Sequence, residues 1–358
     1  GSNTVGTYVM RDDITNLVFP GTQGSSATTM DTASTAAVFR YKRDFGSHYT
    51  AGLLGTVREG PGYHNRVFGA DLDFRLTPTN QIQLLVLRSS TEYPADIQGD
   101  FDQPSGSNGD HLISFEYDHY TRTWGWWADY EEAGENFRAD LGYYPRVGYR
   151  NVEGGVLRTW NGRPGSWWAA MRAGVDYSYF AERDGTLLDR MAALWFNYNG
   201  TMQSFLQLRA WRSREGYAGE EFDLTSALIQ VGFWPTGDLQ VGTFAIVGDQ
   251  IDYANVRLGA HLYTANISQL TAVYQFNVRT FFRAIVQYVN YSYNPDNYTF
   301  EQDPEDRRLF AQLLMSYKFN PRTVLFLGYV DNYHGNQDFS LTQSDRTFFV
   351  KLGYAWTM

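Results

Sequence analysis

Phe68-Gly69-Ala70-Asp71-Leu72-Asp73-Phe74-Arg75-Leu76 sets an apolar side chain at every second position, with a charged one between them from Asp71 on. Extended backbone sends successive side chains to opposite faces, so Phe68, Ala70, Leu72, Phe74 and Leu76 share one face and Asp71, Asp73 and Arg75 the other. One such run fits a soluble sandwich as well as a membrane strand. Its repetition along the chain favours the membrane strand, because open backbone groups in hydrocarbon must be paired by closing the strands into a barrel, apolar side outward and polar side inward.

The period recurs from end to end. Arg40 and Lys42 alternate with Phe39 and Tyr41, and Glu116 and Asp118 with Phe115 and Tyr117. Arg172 and Asp176 lie among Met171, Ala173, Val175 and Tyr177, and Gln207 and Arg209 among Leu206, Leu208 and Ala210. Arg283 and Gln287 fall between Phe282, Ala284, Val286 and Tyr288, and near the end Lys351 stands against Phe348, Val350, Leu352, Tyr354 and Trp356. The pattern therefore predicts a lumen lined by Arg40, Lys42, Asp71, Asp73, Arg75 and Glu116, continued by Asp118, Arg172, Asp176, Arg209, Arg283 and Lys351. Phe68, Leu72, Phe74, Leu206, Leu208, Val350 and Leu352 are predicted to face lipid. Bulky Trp195, Phe205 and Trp211 are read as inward and as narrowing the bore.

Aromatic residues make up 17% of the 358 residues, which suits a barrel girdled at both interfaces. Mean hydropathy is −0.41, and no stretch approaches the roughly 18 consecutive apolar residues of a spanning helix. Without cysteine there is no disulfide framework, thiolate metal site or cysteine nucleophile. A net charge of −10 argues against a nucleic-acid partner. The chain opens on Gly1-Ser2-Asn3, which is read as part of a longer secreted precursor.

Short connections are read at 43–46, 77–80, 120–122, 162–165, Asn197-Tyr198-Asn199-Gly200, 235–238, 276–279 and 319–322, where Gly, Pro, Asn and Asp supply turn conformations. Longer segments, among them 13–34, 93–110, 131–150, 294–306 and 334–345, fall between them. Short turns belong on the periplasmic side of a bacterial barrel and long loops outside, which places both termini in the periplasm. The result is an all-β fold, a transmembrane antiparallel β-barrel of about 18 strands forming one domain over residues 1–358.

Four segments carry a family likeness: Arg11-Asp12-Asp13-Ile14-Thr15-Asn16-Leu17-Val18-Phe19-Pro20-Gly21, Arg138-Ala139-Asp140-Leu141-Gly142, Tyr274-Gln275-Phe276-Asn277-Val278-Arg279, and Asp345-Arg346-Thr347-Phe348-Phe349-Val350-Lys351-Leu352-Gly353-Tyr354. With them the chain resembles, over nearly its whole length, the C-terminal outer-membrane barrel of a family of unknown function. Its members usually carry an N-terminal carbohydrate-binding family 9-like domain. The resemblance implies a barrel associated with glycan-related proteins and brings no catalytic residues. The sandwich is absent from this sequence. Asn255-Val256-Arg257-Leu258-Gly259 and His261-Leu262-Tyr263-Thr264-Ala265-Asn266 nearly abut where the family has a further hairpin, so a barrel of 20 strands is expected if a hairpin near 257–261 is missing.

Outer-membrane hydrolases work at the extracellular rim, and three His–carboxylate neighbourhoods fall there: Glu59 with His64, Asp110 with His111, and Asp331 with His334 and Asp345. No nucleophile elbow, phosphate loop or HExxH accompanies them. The acidic loop from Asn294 to Asp306 is rich in oxygen ligands but lacks EF-hand spacing and is read as solvated, so no metal and no cofactor is expected. The leading reading is a porin-like channel or transport barrel of a Gram-negative outer membrane, in contact with lipid and lipopolysaccharide. The alternatives are a structural barrel that anchors a periplasmic or surface domain or binds a partner membrane or periplasmic protein, and, behind it, a rim hydrolase.

Overall fold

The computed structural model describes residues 2–217, 219–253, 262–298 and 300–355. The segment 257–261, where a further hairpin was expected, and Trp356 lie outside the described residues. The chain is built from antiparallel strands. The first are β1 (Asn3–Asp12), β2 (Thr15–Pro20), β3 (Ser25–Met30), β4 (Ser34–Phe45), β5 (Tyr49–Gly60), β6 (Tyr63–Thr77) and β7 (Asn80–Glu92). A six-residue helix α1 (Ala95–Asp100) precedes β8 (His111–Tyr120), β9 (Trp124–Ala133), β10 (Tyr149–Asn161), β11 (Trp168–Glu182), β12 (Leu187–Gly200) and β13 (Phe205–Tyr217). Then come β14 (Glu220–Phe233), β15 (Leu239–Ile251), β16 (Leu262–Asn277), β17 (Thr280–Tyr293), β18 (Glu305–Asn320), β19 (Thr323–Asn336) and β20 (Thr342–Tyr354). Among the described residues eighteen strands belong to one sheet, and β2 pairs with β3 in a separate two-stranded sheet.

The molecule divides into two compact units: Gly1–Leu157, Asp176–Met191 and Glu215–Tyr217 form one, and Arg158–Val175, Ala192–Arg214 and Ala218–Met358 the other. In the first, β1 pairs with β4, and β4 to β9 follow as a meander. In the second, β14 to β20 form another meander. These strands run from 10 to 16 residues, enough for the roughly 9–11 that a tilted strand needs to cross hydrocarbon.

Partners in register lie on the same face, so the pairing of the strands carries the alternation from one strand to the next. Phe39 sits opposite Gly55, and Gly55 opposite Phe68, on a face where Phe39 is 46% and Phe68 57% exposed. Val350 and Leu352 are likewise exposed, and Leu72 and Phe74 lie on the same side of β6 as Phe68. A face this apolar and uncovered needs a non-aqueous environment.

The turn read at Asn197-Tyr198-Asn199-Gly200 lies four residues further on. β12 runs through to Gly200, and the chain reverses at 201–204, where Met202 and Gln203 take φ of 53° and 50°. Those values suit the reversed two-residue hairpin turns, but neither residue is one that ordinarily signals them. The segment 13–34, read as a loop, holds the β2–β3 hairpin.

Two aromatic rings lie close against the sheet. A Cβ at Gly232 would strike the Phe205 ring, and one at Gly328 the Phe349 ring, so each ring rests on bare backbone of the neighbouring strand. The Phe205 ring, read in the sequence as narrowing a bore, lies against the backbone at Gly232. Arg209 stands 5.7 Å from the Trp211 ring centre, which keeps these two on one face as expected.

Candidate functional site: a carboxylate ladder beneath folded-in loops

In the first unit the polar face is continuous across six strands. Asp44, Thr50, Asp73, Gln83, Glu116 and Asp129 are successive register partners from β4 to β9. The next row runs Lys42, Gly52, Asp71, Leu85, Ser114 and Glu131, and Arg75, Gln81, Asp118 and Trp127 lie on the other side of the first. The register therefore places Lys42, Asp71, Asp73, Arg75, Glu116 and Asp118 on one face of the sheet. It also adds Asp129 and Glu131, which the sequence analysis does not single out although Trp127, Asp129 and Glu131 alternate.

Arg40 reaches diagonally to pair with Asp71. The pair spans the backbone of Gly52, where a Cβ would come within 2.8 Å of the Arg40 guanidinium, so only glycine leaves room for it. Gln81 Nε2 donates to the Asp73 carboxylate at 3.0 Å. In the second unit Arg283 and Lys351 lie on the face that carries Gln287 and Gln312, and the Arg283 guanidinium donates to Gln312 Oε1 at 2.9 Å.

Above the ladder, toward the end of the strands away from the termini, the same face turns apolar. Tyr63, Asn65 and Val67 continue the parity of Asp71 and Asp73 on β6 but are 3%, 0% and 2% exposed. Chain that leaves the sheet covers them. Leu17, Phe19 and Met30 of the β2–β3 hairpin pack with Tyr63, Tyr93, Ile97 and Phe101, while Phe137 and Val147 pack on Val67 and Leu112. A loop folded onto a sheet must satisfy its backbone, and here side chains from the strands do so. Asn65 donates to the carbonyl of Arg138 at 2.9 Å and accepts the Asp140 N–H at 3.1 Å. The Tyr63 hydroxyl donates to Asp140 Oδ2 at 2.7 Å and that of Tyr93 to Oδ1 at 3.0 Å. Arg138 donates to Gln103 Oε1 at 2.9 Å and to the carbonyl of Glu135 at 2.8 Å. The hairpin has its own clamp. Arg58, 5% exposed, donates to Ser34 Oγ at 3.0 Å, the carbonyl of Asn16 at 3.0 Å and Asp12 Oδ2 at 3.1 Å. The Arg138-Ala139-Asp140 segment, noted in the sequence only as a family mark, is thus the pin of this insert.

Burial pushes the Asp140 carboxyl above the usual carboxylate range, against the two phenol hydrogen bonds and the charges of Arg138 and Arg58. A group that holds its proton more tightly when folded contributes stability that is fully present below its unfolded value, about 3.9, and lost as pH rises through its folded value. Asp140→Asn, which mimics the protonated group, should flatten the loss of protease protection at 134–148 that sets in as pH rises above the unfolded value of about 3.9. Superimposable wild-type and variant pH profiles would show that Asp140 does not govern it.

Of the rim groups, Asp110 and His111 meet as the sequence grouped them, Glu59 and His64 are neighbours in register, and Asp331, His334 and Asp345 part. Glu59 is the register partner of His64 but pairs with Arg66, while His64 Nδ1 lies 3.9 Å from Glu92 and Nε2 lies 3.4 Å from Ser107 Oγ. Asp110 lies 2.9 Å from His111 Nδ1, and Glu132 3.4 Å from Nε2. Asp331 accepts from Tyr329, Tyr333 and Arg346, whereas His334 faces Asp306 at 3.2 Å and Asp345 takes Asn332 at 2.8 Å. These last three do not assemble, because Asp331 and His334 point to opposite faces of β19. In the acidic loop Asn294 caps Asp296, and Asp303 accepts from the backbone of Gln337. Among the described residues no three His, Asp or Glu side chains are grouped as a metal site.

The fold is of the kind seen in bacterial outer-membrane receptors. The chain is similar to a mutant of the ferric enterobactin receptor PfeA of Pseudomonas aeruginosa, with a TM-score of 0.50 and 11% identity over 92% of this chain, spanning 62% of that receptor. It also aligns with OmpT of Vibrio cholerae at 11% identity, covering 99% of this chain and 98% of that one with a TM-score of 0.36. No family model matches the sequence, and no curated protein does either.

Proposed function

We propose that the chain forms a closed β-barrel in a bacterial outer membrane, termini in the periplasm, and passes small polar solutes with a preference for cations. The carrying observation is the ladder in which Asp73, Gln83, Glu116 and Asp129 succeed one another across four strands, flanked by Asp71, Asp118 and Glu131. Exposed apolar side chains on the reverse face support a lipid setting, with lipopolysaccharide at the long-loop rim. Rings of carboxylates along a polar path enrich cations and raise their throughput.

Purified barrel in planar bilayers should give stepwise, cation-preferring currents. Replacing Asp71 and Asp73 together by Asn removes two negative charges and releases Arg40 from its partner, so the cation-to-anion permeability ratio should fall roughly twofold or more. An unchanged ratio would take these residues out of the path. The insert packed on the same face favours a second reading, a filled barrel that anchors or binds another protein. Silent bilayers from folded protein would select it.

A further inference from the structure

We propose that the folded-in segment 134–148 is a constriction, latched to the sheet by Asp140, that sets the size limit of the solute path. The inference rests on the reading of the chain as a channel, and deepens it by assigning what excludes larger solutes.

The segment is not merely draped over the strand ends. It crosses the polar face directly above the ladder, where Phe137 is 1% exposed against Val67 and Leu112. Its attachment combines a non-specific and a specific part. The apolar contacts of Phe137 and Val147 are non-directional. The backbone of Arg138 and Asp140 bonds to the single side chain of Asn65, and the Asp140 carboxylate takes one hydroxyl from β6 and another from the chain just after β7. Arg138 ties the segment sideways to Gln103 in the loop that follows α1. An enclosed carboxylate deprived of its donors keeps its desolvation cost and loses the compensation, which makes these two phenols the release point. The strands themselves are held by their own backbone ladder and do not need the latch.

Tyr63→Phe with Tyr93→Phe removes both hydroxyls and keeps the rings packed. Asp140→Ala removes the acceptor instead, and heat-modifiable migration on gels confirms that either variant has folded. Both variants and wild type are tested in planar bilayers, and in liposomes challenged with mono-, di- and trisaccharides. The expected result is a unitary conductance raised about twofold or more, with swelling extended to larger sugars, because pore diameter governs both. A silent wild type with conducting variants would support the latch while overturning the reading of an open channel. Folded variants with the wild-type step and sugar cut-off would overturn the latch and leave the channel standing. Folded variants as silent as wild type would overturn both.

Discussion

Phe137→Ala should be the most costly single change in the insert, removing about 3–5 kcal/mol from the attachment of segment 134–148. The ring is 1% exposed, packs among Val67, Leu112 and Val147, and meets Tyr144 edge-on at 5.6 Å. Truncation would leave a void between a sheet and a loop pinned on both sides by hydrogen bonds, a site with little freedom to collapse. The loss is bounded by the free energy that holds the segment in. Once that is exceeded the segment detaches and the strands keep the rest. Hydrogen exchange should therefore show 134–148 deprotected while amides of β6 and β7 stay slow. Protection within about 1 kcal/mol of wild type would mean that Phe137 is dispensable and the latch alone holds the loop.

Leu72→Arg should destabilise the protein by about 2–4 kcal/mol in lipid. Leu72 lies on the apolar face between Ala51 and Leu84, well inside a strand whose outward charges, Arg66 and His64, gather at the long-loop end. An Arg there must either be buried in hydrocarbon or pull the bilayer toward it. Arg at Ser114 is the matched control, because Ser114 neighbours Glu131 on the polar face and the new charge would meet carboxylates. That change should cost less than about 1 kcal/mol, as inward substitutions tune the lumen rather than the lipid contact. Urea unfolding in lipid vesicles gives both values. Equal costs at the two positions would mean that the faces have been misassigned.

These two sites differ in how far the sequence disclosed them. Leu72 was legible because a strand's side-chain period is two, so its neighbours Asp71 and Asp73 fix its face with no knowledge of the fold. The same rule reached Lys351 and Arg283. Phe137 was not legible, since nothing in a loop's composition says which surface it will cover, and the tyrosines that pin its segment, Tyr63 of β6 and Tyr93 just after β7, are far away in sequence. Asp129 and Glu131 stand in a readable alternation with Trp127 that the sequence analysis does not single out. The hairpin turn at Met202 and Gln203 lacked the glycine or asparagine that normally marks left-handed backbone, while Gly200 imitated one inside a strand.

The β2–β3 hairpin bears on how the sheet is assembled. From β4 to β9 each strand pairs with the next along the chain, but β1 pairs with β4, and Asp12 meets Ser34 only after residues 13–33 have been gathered up. Closing a span of that length rather than a tight turn costs roughly 1.5–2 kcal/mol of chain entropy before any ladder bond repays it. A hairpin that forms locally and is gripped by Arg58 of β5 shortens the effective span, and delivers β1 to a partner already in place. β1, although it precedes β4 to β9 along the chain, would then be among the last of these strands to join the sheet.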